Sequence, residues 1–493
     1  MDELVVSATP LGDVLQPSQV LGDKELLLKS MPTIGETLSA ELGVSSTYFG
    51  PAASRPVIRG QSGSRVQMLT DSISTLDVSD VSPDHAVAVE PLLADQVEII
   101  RGPTTLLYGS AAAGGIVNVS DNRIPELPAD KPIGGGIELR GDTAAEERAI
   151  VGRLDGSVGG FGYHLDGFTR ETENVEIAGF ATADPAERPE DEVEGVLANS
   201  YSESDGYAGG VSWVGSRGYL GASISRLKMT YGLPGPAEEE EEEEEGEELF
   251  EGPFLDMDQT RVDVRGEYRF EQGAFEAVRL AYGVNEYEHT EIEPSGEPAT
   301  EFKNDAWQAR AEAVHAPLAG WRGAFGIQFD DRDFTAEGAE AFIDPTKTEA
   351  VGLFIVEERE FGWGHLHLGA RVESLEHRNV VFAPYDDDAW SLGAGLGVDI
   401  PAASELVFNL SYTERNPNAE ELYSNGEHLA TRQIEIGLLA APAGSATLEK
   451  STNVDLGWRR QEGNVRWDAS VFYYDIKDYV FQDLSIDPAE EFP

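Results

Sequence analysis

The sequence predicts a membrane β protein, a transmembrane antiparallel β-barrel that follows a small N-terminal sheet domain. Three observations lead there. From about residue 130 onward apolar and polar residues alternate with a period of two, tight and long connections alternate between these segments, and no run of about 18 apolar residues offers a membrane helix. Only a helix or a closed barrel crosses lipid with every backbone group paired, so the crossing falls to strands.

The N-terminal domain is read from two motifs. Val97-Glu98-Ile99-Ile100-Arg101-Gly102-Pro103, Leu106-Leu107-Tyr108-Gly109 and Gly114-Gly115-Ile116-Val117-Asn118-Val119 give a short apolar strand, a Gly-Pro turn, a second glycine turn and another β-branched strand. Arg55-Pro56-Val57-Ile58-Arg59-Gly60 stands upstream. Together, and in this order, the motifs resemble those of the plug domain of TonB-dependent outer-membrane receptors. The resemblance implies an N-terminal α/β plug domain over residues 10–125, held inside a transmembrane antiparallel barrel that begins at 126 and runs to 493. Barrels of this family have 22 strands. Residues 1–9 precede the plug, and Glu3, Leu4, Val5, Val6, Ser7, Ala8 and Thr9 resemble the TonB box. An extended peptide of that pattern suits strand addition to a partner's sheet edge, although from its residues alone it fits a plug strand nearly as well.

The barrel strands follow. In 261–270, Val262, Val264, Tyr268 and Phe270 share one face and Arg261, Asp263, Arg265, Glu267 and Arg269 the other. Leu406, Phe408, Leu410 and Tyr412 repeat the pattern, as do Val454, Leu456 and Trp458, and Val465, Trp467, Ala469, Val471 and Tyr473. Such segments outrun the strands of a globular sandwich and keep charge on the polar face, as lipid outside and a wet lumen inside require. Tight connections near 158–160, 215–218, 271–273, 317–320, 362–364, 402–404 and 461–463 alternate with long ones near 174–201, 232–257, 291–300, 333–347, 378–387 and 415–447. Long loops belong outside the cell. Counting from a first strand near 136–141 gives about 15 strands, and 482–493 reads as the start of another outer loop. The expectation is a fragment lacking the last third of the barrel, since an open sheet leaves two unpaired edges in lipid. The N-terminus has no basic segment with an apolar core behind it, as in a mature or trimmed chain. Absence of cysteine excludes disulfides and thiolate metal sites.

Ser82-Pro83-Asp84-His85-Ala86-Val87 lies between the two plug motifs. Asp beside His offers an oxygen and a nitrogen to one cation, though by itself such a pair is usually just solvated. Continued through Glu90-Pro91-Leu92-Leu93-Ala94, the segment resembles the zinc-uptake branch of the TonB-dependent receptors, and the resemblance implies Asp84 and His85 as zinc ligands. The stretch from Asn416 to His428 resembles the same branch and implies His428 as a third. A weaker likeness at Glu337-Gly338-Ala339-Glu340-Ala341-Phe342, where the family often has two adjacent acids and this chain has Ala339, makes Glu340 the candidate fourth ligand in an outer loop. The set would be tetrahedral with mixed nitrogen and oxygen donors.

Glu238, Glu239, Glu240, Glu241, Glu242, Glu243, Glu244 and Glu245 stand where the zinc branch often carries a histidine-rich metal-gathering loop. Glutamate oxygens hold zinc loosely, so this tract is a low-affinity cation loop or, with equal weight, a solvated acidic segment. A net charge of −56 attracts cations generally and fits a salt-adapted source too. The remaining histidines, His164, His289, His315, His365, His367 and His377, are assigned no site. His365 and His367, at i and i+2, can chelate metal on a strand but without a third ligand read as lumen lining.

No nucleophile elbow, phosphate loop or paired-histidine protease motif is present, so no enzyme and no catalytic cofactor are expected. The reading is a monomeric importer in the outer membrane of a Gram-negative bacterium, contacting outer-membrane lipid, energised by TonB and its inner-membrane complex, with zinc as transported ligand and no nucleic-acid partner. The alternatives are a receptor for a metal chelate, siderophore or haem, and a passive acidic cation-binding surface barrel or adhesin.

Overall fold

The computed structural model of the chain describes residues 19–484 apart from 111–113, 187, 190–191, 235–251, 339–340, 402, 429–432, 442–443, 461–463 and 482. Two sheets dominate. The larger has 15 strands, from Gly134–Gly141 to Trp467–Lys477, each antiparallel to the next along the chain. These two strands are its edges, and among the described residues they do not pair with each other. The period-two pattern sets which face looks out. Leu406, Phe408 and Leu410 are exposed on the outer face, while Arg261, Gln308, Arg310 and Arg371 are buried on the inner one.

Connections at 159–160, 216–217, 319–320 and 362–363 make the short end of the sheet. At the opposite end lie 173–201, 233–253 and 416–448, so Gly232, Phe254 and the short strand Asn425–His428 share that end. Two connections expected to be long are not. Phe275–Ile292 and Pro298–Leu318 leave only 293–297 between them, and Gly364–Asn379 and Tyr385–Ile400 leave only 380–384. The strand Trp321–Gly338 likewise absorbs Glu337, which pairs with Glu301 and is not in a loop. Strands of 18, 21 and 18 residues far exceed the roughly 9–11 with which a β-strand can cross a bilayer.

The smaller sheet fills the lumen. Its strand order is Gln19–Gly22, Gln96–Ile100, Gly115–Ser120, Val66–Thr70, Ile73–Ser74, with Val66–Thr70 and Gly115–Ser120 parallel and the other neighbours antiparallel. One face packs Val97, Ile99, Val117 and Val119 against Leu26, Ile34 and Leu38 of the helices Asp23–Lys29 and Ile34–Leu38. The other sets Leu69, Ile100 and Ile116 against Val314, Ala324, Phe354 and Val356 of the barrel wall. Burial on both faces explains why the motif strands are nearly all apolar. Two motif glycines are geometrically required. Gly102 has φ 79°, and Gly115 has φ 145° with Ile58 and the Ile100 carbonyl 3.0 and 3.2 Å from where a Cβ would be.

Charge fixes the plug laterally. The Arg65 guanidinium donates through Nε to Glu449 Oε1 at 2.9 Å and through Nη2 to Oε2. Arg415 donates to the same carboxylate at 3.3 and 3.2 Å, and to both oxygens of Glu421 at 2.9 and 2.7 Å. Glu421 in turn closes a capping box with Asn418 at the start of the helix Ala419–Tyr423. All four charged side chains are buried. Arg59 pairs with Asp455, which shares with Glu449 the strand Glu449–Arg460. Removing one partner leaves a buried charge uncompensated, typically about 3–5 kcal/mol. Glu449→Ala is therefore expected to accelerate amide hydrogen exchange in Val66–Thr70 by roughly 100-fold or more. Exchange in that strand at the parent rate would show that the network does not hold the plug.

Candidate metal centre

The plug segment after Ile73–Ser74 is clamped to three long barrel strands. Ser74 donates its amide to Gln308 Oε1 at 3.0 Å and accepts from Arg261 at 2.8 Å. The Thr75 carbonyl accepts from Gln259 at 3.2 Å, and the Leu76 carbonyl accepts from Asn285 and Asn304 at 2.8 Å each. Asp77 then organises the next turn, accepting from the Ser79 amide and hydroxyl at 3.1 and 2.7 Å and from the Ala88 amide at 3.0 Å. Tyr231, at the end of its strand, donates its hydroxyl to the Asp84 carbonyl at 2.9 Å and accepts the Ala86 amide at 3.0 Å. The Asp84–His85 turn is thus held from both flanks by backbone contacts that do not occupy its side chains.

Those side chains meet the strand Phe275–Ile292. Donor atoms of His85, His289 and Glu291 all lie within 4.8 Å of one another, and all three residues are buried. His85 Nε2 is 3.4 Å from Glu291 Oε1 and 4.0 Å from Asp84 Oδ2. His85 Nδ1 faces the Val78 carbonyl at 3.1 Å, an acceptor that places a proton on Nδ1 and turns Nε2 toward the carboxylates. His289 stacks on Phe302 with ring centroids 4.5 Å apart, receives the edge of His85 at 4.4 Å, and has Tyr287 Oη 3.1 Å from its Nδ1. Burial works against charging the His85 ring, but the Asp84 and Glu291 carboxylates outweigh it and push the imidazole up to about 9. Two imidazoles and two carboxylates in one buried cluster are the donor chemistry of a borderline divalent cation.

Asp84 and His85 are therefore adjacent to one cluster, and His289, assigned no site from the sequence, is part of it together with Glu291. The signal was present as Tyr287, His289 and Glu291 at alternate positions on an inward face. Which of 15 strands passes the plug turn is a matter of tertiary register that alternation alone does not carry. The strand Asn425–His428 pairs with Gln433–Ile436, and Asn425 donates its amide to the Phe342 carbonyl at 2.7 Å. The Phe342 ring lies 5.9 Å from that of Phe302, so the start of this strand, at Asn425, is tied to the aromatic surround of the cluster. Glu340, the TonB-box-like segment and the tract 238–245 lie outside the described residues. A cavity of about 1040 Å³ lies toward the short-connection end, lined by Asp71, Tyr163, Tyr219, Arg265, Glu267 and Arg279 among others, away from this cluster.

Comparison with known proteins agrees with this architecture. A family profile described as TonB-dependent Receptor Plug Domain matches residues 10–116, and one described as TonB dependent receptor-like, beta-barrel matches 154–490. Among solved structures, the chain is similar to the copper transporter OprC at 15% identity and TM-score 0.75, over 94% of this chain and 73% of that one. It is similar to the FrpB iron transporter from Neisseria meningitidis (F3-3 variant) at 13% identity and TM-score 0.72, over 94% and 74%. A third is the siderophore receptor PirA from Acinetobacter baumannii, at 15% identity and TM-score 0.71, over 96% and 72%. Identities this low speak for the fold alone.

Proposed function

Because the chain belongs to the TonB-dependent receptors, a family of transporters and not of enzymes, we propose that it imports a divalent metal ion, zinc, across the outer membrane of a Gram-negative bacterium. The observation that carries this reading is the convergence of His85 from the plug with His289 and Glu291 from the barrel. Asp84 completes the set, and His428, on the strand whose start at Asn425 bonds Phe342, is proposed as a further ligand. Zinc binds imidazole nitrogen and carboxylate oxygen at about 2.0–2.2 Å, which a small contraction of this cluster reaches. Glu340 remains a candidate on resemblance alone, and 238–245 a tract that concentrates cations near the mouth without choosing among them.

Ligands contributed by both domains make occupancy depend on plug position. A force on the N-terminus that shifts the plug separates His85 from His289 and releases the ion inward. Glu3 to Thr9 supply the handle, by strand addition to TonB. A chelate as cargo is the second reading, favoured by the likeness to a siderophore receptor. A chelate brings its own ligands and needs a roomy binding surface, whereas the donors here are buried and within 4.8 Å of one another.

Two outcomes follow. His85→Ala and His289→Ala should each weaken zinc binding by roughly 10-fold to 100-fold or more in an equilibrium titration, taking the loss of a supporting neighbour as the floor for losing a ligand. His428→Ala is expected to do the same, while shortening 238–245 should change binding slightly and in a salt-dependent manner. Parent-like affinity in both His85 and His289 variants, with the tight site lost on shortening the acidic tract, would move the receptor surface to that tract. Deleting residues 3–9 should abolish uptake in cells with a working TonB system while surface zinc binding persists. Undiminished uptake by the deletion variant would remove the coupling role of this segment.

A further inference from the structure

The inner face of the strand Tyr385–Ile400 carries three glycines at alternate positions, Gly393, Gly395 and Gly397. The first lets the plug approach the wall, since a Cβ there would come within 2.9 Å of Pro103. The other two face a side-chain cluster distinct from the outer centre. Pairing sets Glu358 directly opposite His367, and His365 directly opposite Gly397. His367 Nε2 lies 3.6 Å from Glu358 Oε2, His365 Nε2 lies 3.4 Å from Glu405 Oε1, and the two imidazole centroids are 4.7 Å apart. A Cβ on Gly397 would be 2.3 Å from both Glu405 Oε1 and His365 Nε2, so these two donor atoms converge on space that glycine alone leaves open.

A second observation points to a ligand. Among the described residues, His367 Nε2, Glu358 Oε2 and Glu405 Oε1 are buried without a hydrogen-bond partner, and the Glu358 side chain is only 3% exposed. Arg459 donates to the other oxygen, Glu405 Oε2, at 2.6 Å, which fixes that carboxylate and leaves Oε1 turned toward His365. Buried polar atoms without partners are costly, and here two carboxylate oxygens and an imidazole nitrogen stand in two neighbouring His–Glu pairs that one cation could bridge. The cluster sits beside the short connection 362–363, at the opposite end of the sheet from His289, beneath the plug's 3-10 helix Gly102–Leu107.

We propose that His365, His367, Glu358 and Glu405 form a second divalent-cation site at the periplasmic end of the lumen, which takes up an ion as it leaves the plug. The site stands on its own geometry, and only its role as an exit station rests on the reading of the outer centre. The two His–Glu pairs are separate as they stand, so an ion joining them needs a change of rotamer at one imidazole. Nitrogen and oxygen donors select the same class of borderline cation as the outer centre, of which zinc is the probe.

The test is the stoichiometry of Zn²⁺ bound to the full chain in detergent, by equilibrium dialysis. The parent should bind two ions, the His85→Ala/His289→Ala variant one, and the His365→Ala/His367→Ala variant one. Glu358→Gln, which keeps the shape of the wall, should weaken the second ion roughly 10-fold or more without touching the first. A His365→Ala/His367→Ala protein that still binds two ions overturns the proposal, as does an unchanged second affinity in Glu358→Gln. Loss of one ion from His365→Ala/His367→Ala, with none lost from His85→Ala/His289→Ala, would leave this site standing and remove the outer centre.

Discussion

Glu449 is the point on which the arrangement turns. One buried carboxylate accepts from Arg65 of the plug and from Arg415 of the barrel, and a second, Glu421, accepts from both terminal nitrogens of Arg415. Neither domain can satisfy these charges by itself, because a lone buried charge costs several kcal/mol where a completed pair does not. The plug is therefore seated in one rotational and vertical register. That register decides which barrel strand Asp84 and His85 meet. The same network reaches the helix Ala419–Tyr423 through Glu421 and, beyond it, Arg332 through Glu420 at 3.0 Å, tying the long connection 416–448 to the plug as well.

Seating by paired charges and packing by apolar contact do different jobs here. Leu69, Ile100 and Ile116 against Phe354 and Val356 supply non-directional cohesion, which tolerates sliding. The clamps on the Ser74, Thr75 and Leu76 backbone, with the Tyr231 contacts to Asp84 and Ala86, are directional and set the position of His85 to within a hydrogen bond. A plug held this way is fixed in position by the directional contacts as well as by burial. On the proposed function, a centre divided between the domains would come apart when the plug is displaced.

Much of the fold was legible in the sequence. Period-two alternation gave the barrel class, the count of about 15 strands and the first strand near 136–141, because inside and outside differ in solvent and the pleat transmits that difference to every second residue. The plug motifs were legible because Gly102 and Gly115 occupy conformations or contacts that other residues resist. Loop lengths were less so. Glu337 and the neighbours of 293–297 are polar enough to read as loop, yet they belong to strands longer than a bilayer crossing needs. Of the proposed outer centre, the Asp84–His85 pair was suggested by resemblance, whereas His289 and Glu291 come beside it only through tertiary register. His365 and His367 were read as lumen lining for want of a third ligand, and the carboxylates they face, Glu358 and Glu405, lie on other strands where sequence spacing does not show them.

The central claim is that one cation is held jointly by plug and barrel at His85 and His289. Crystals of the full chain equilibrated with Zn²⁺ and measured at the zinc absorption edge test it most directly. The account predicts an anomalous peak about 2.0–2.1 Å from a ring nitrogen of both His85 and His289, with a carboxylate oxygen of Glu291 or Asp84 completing the shell. An anomalous map with zinc bound elsewhere and nothing between these two histidines would contradict it.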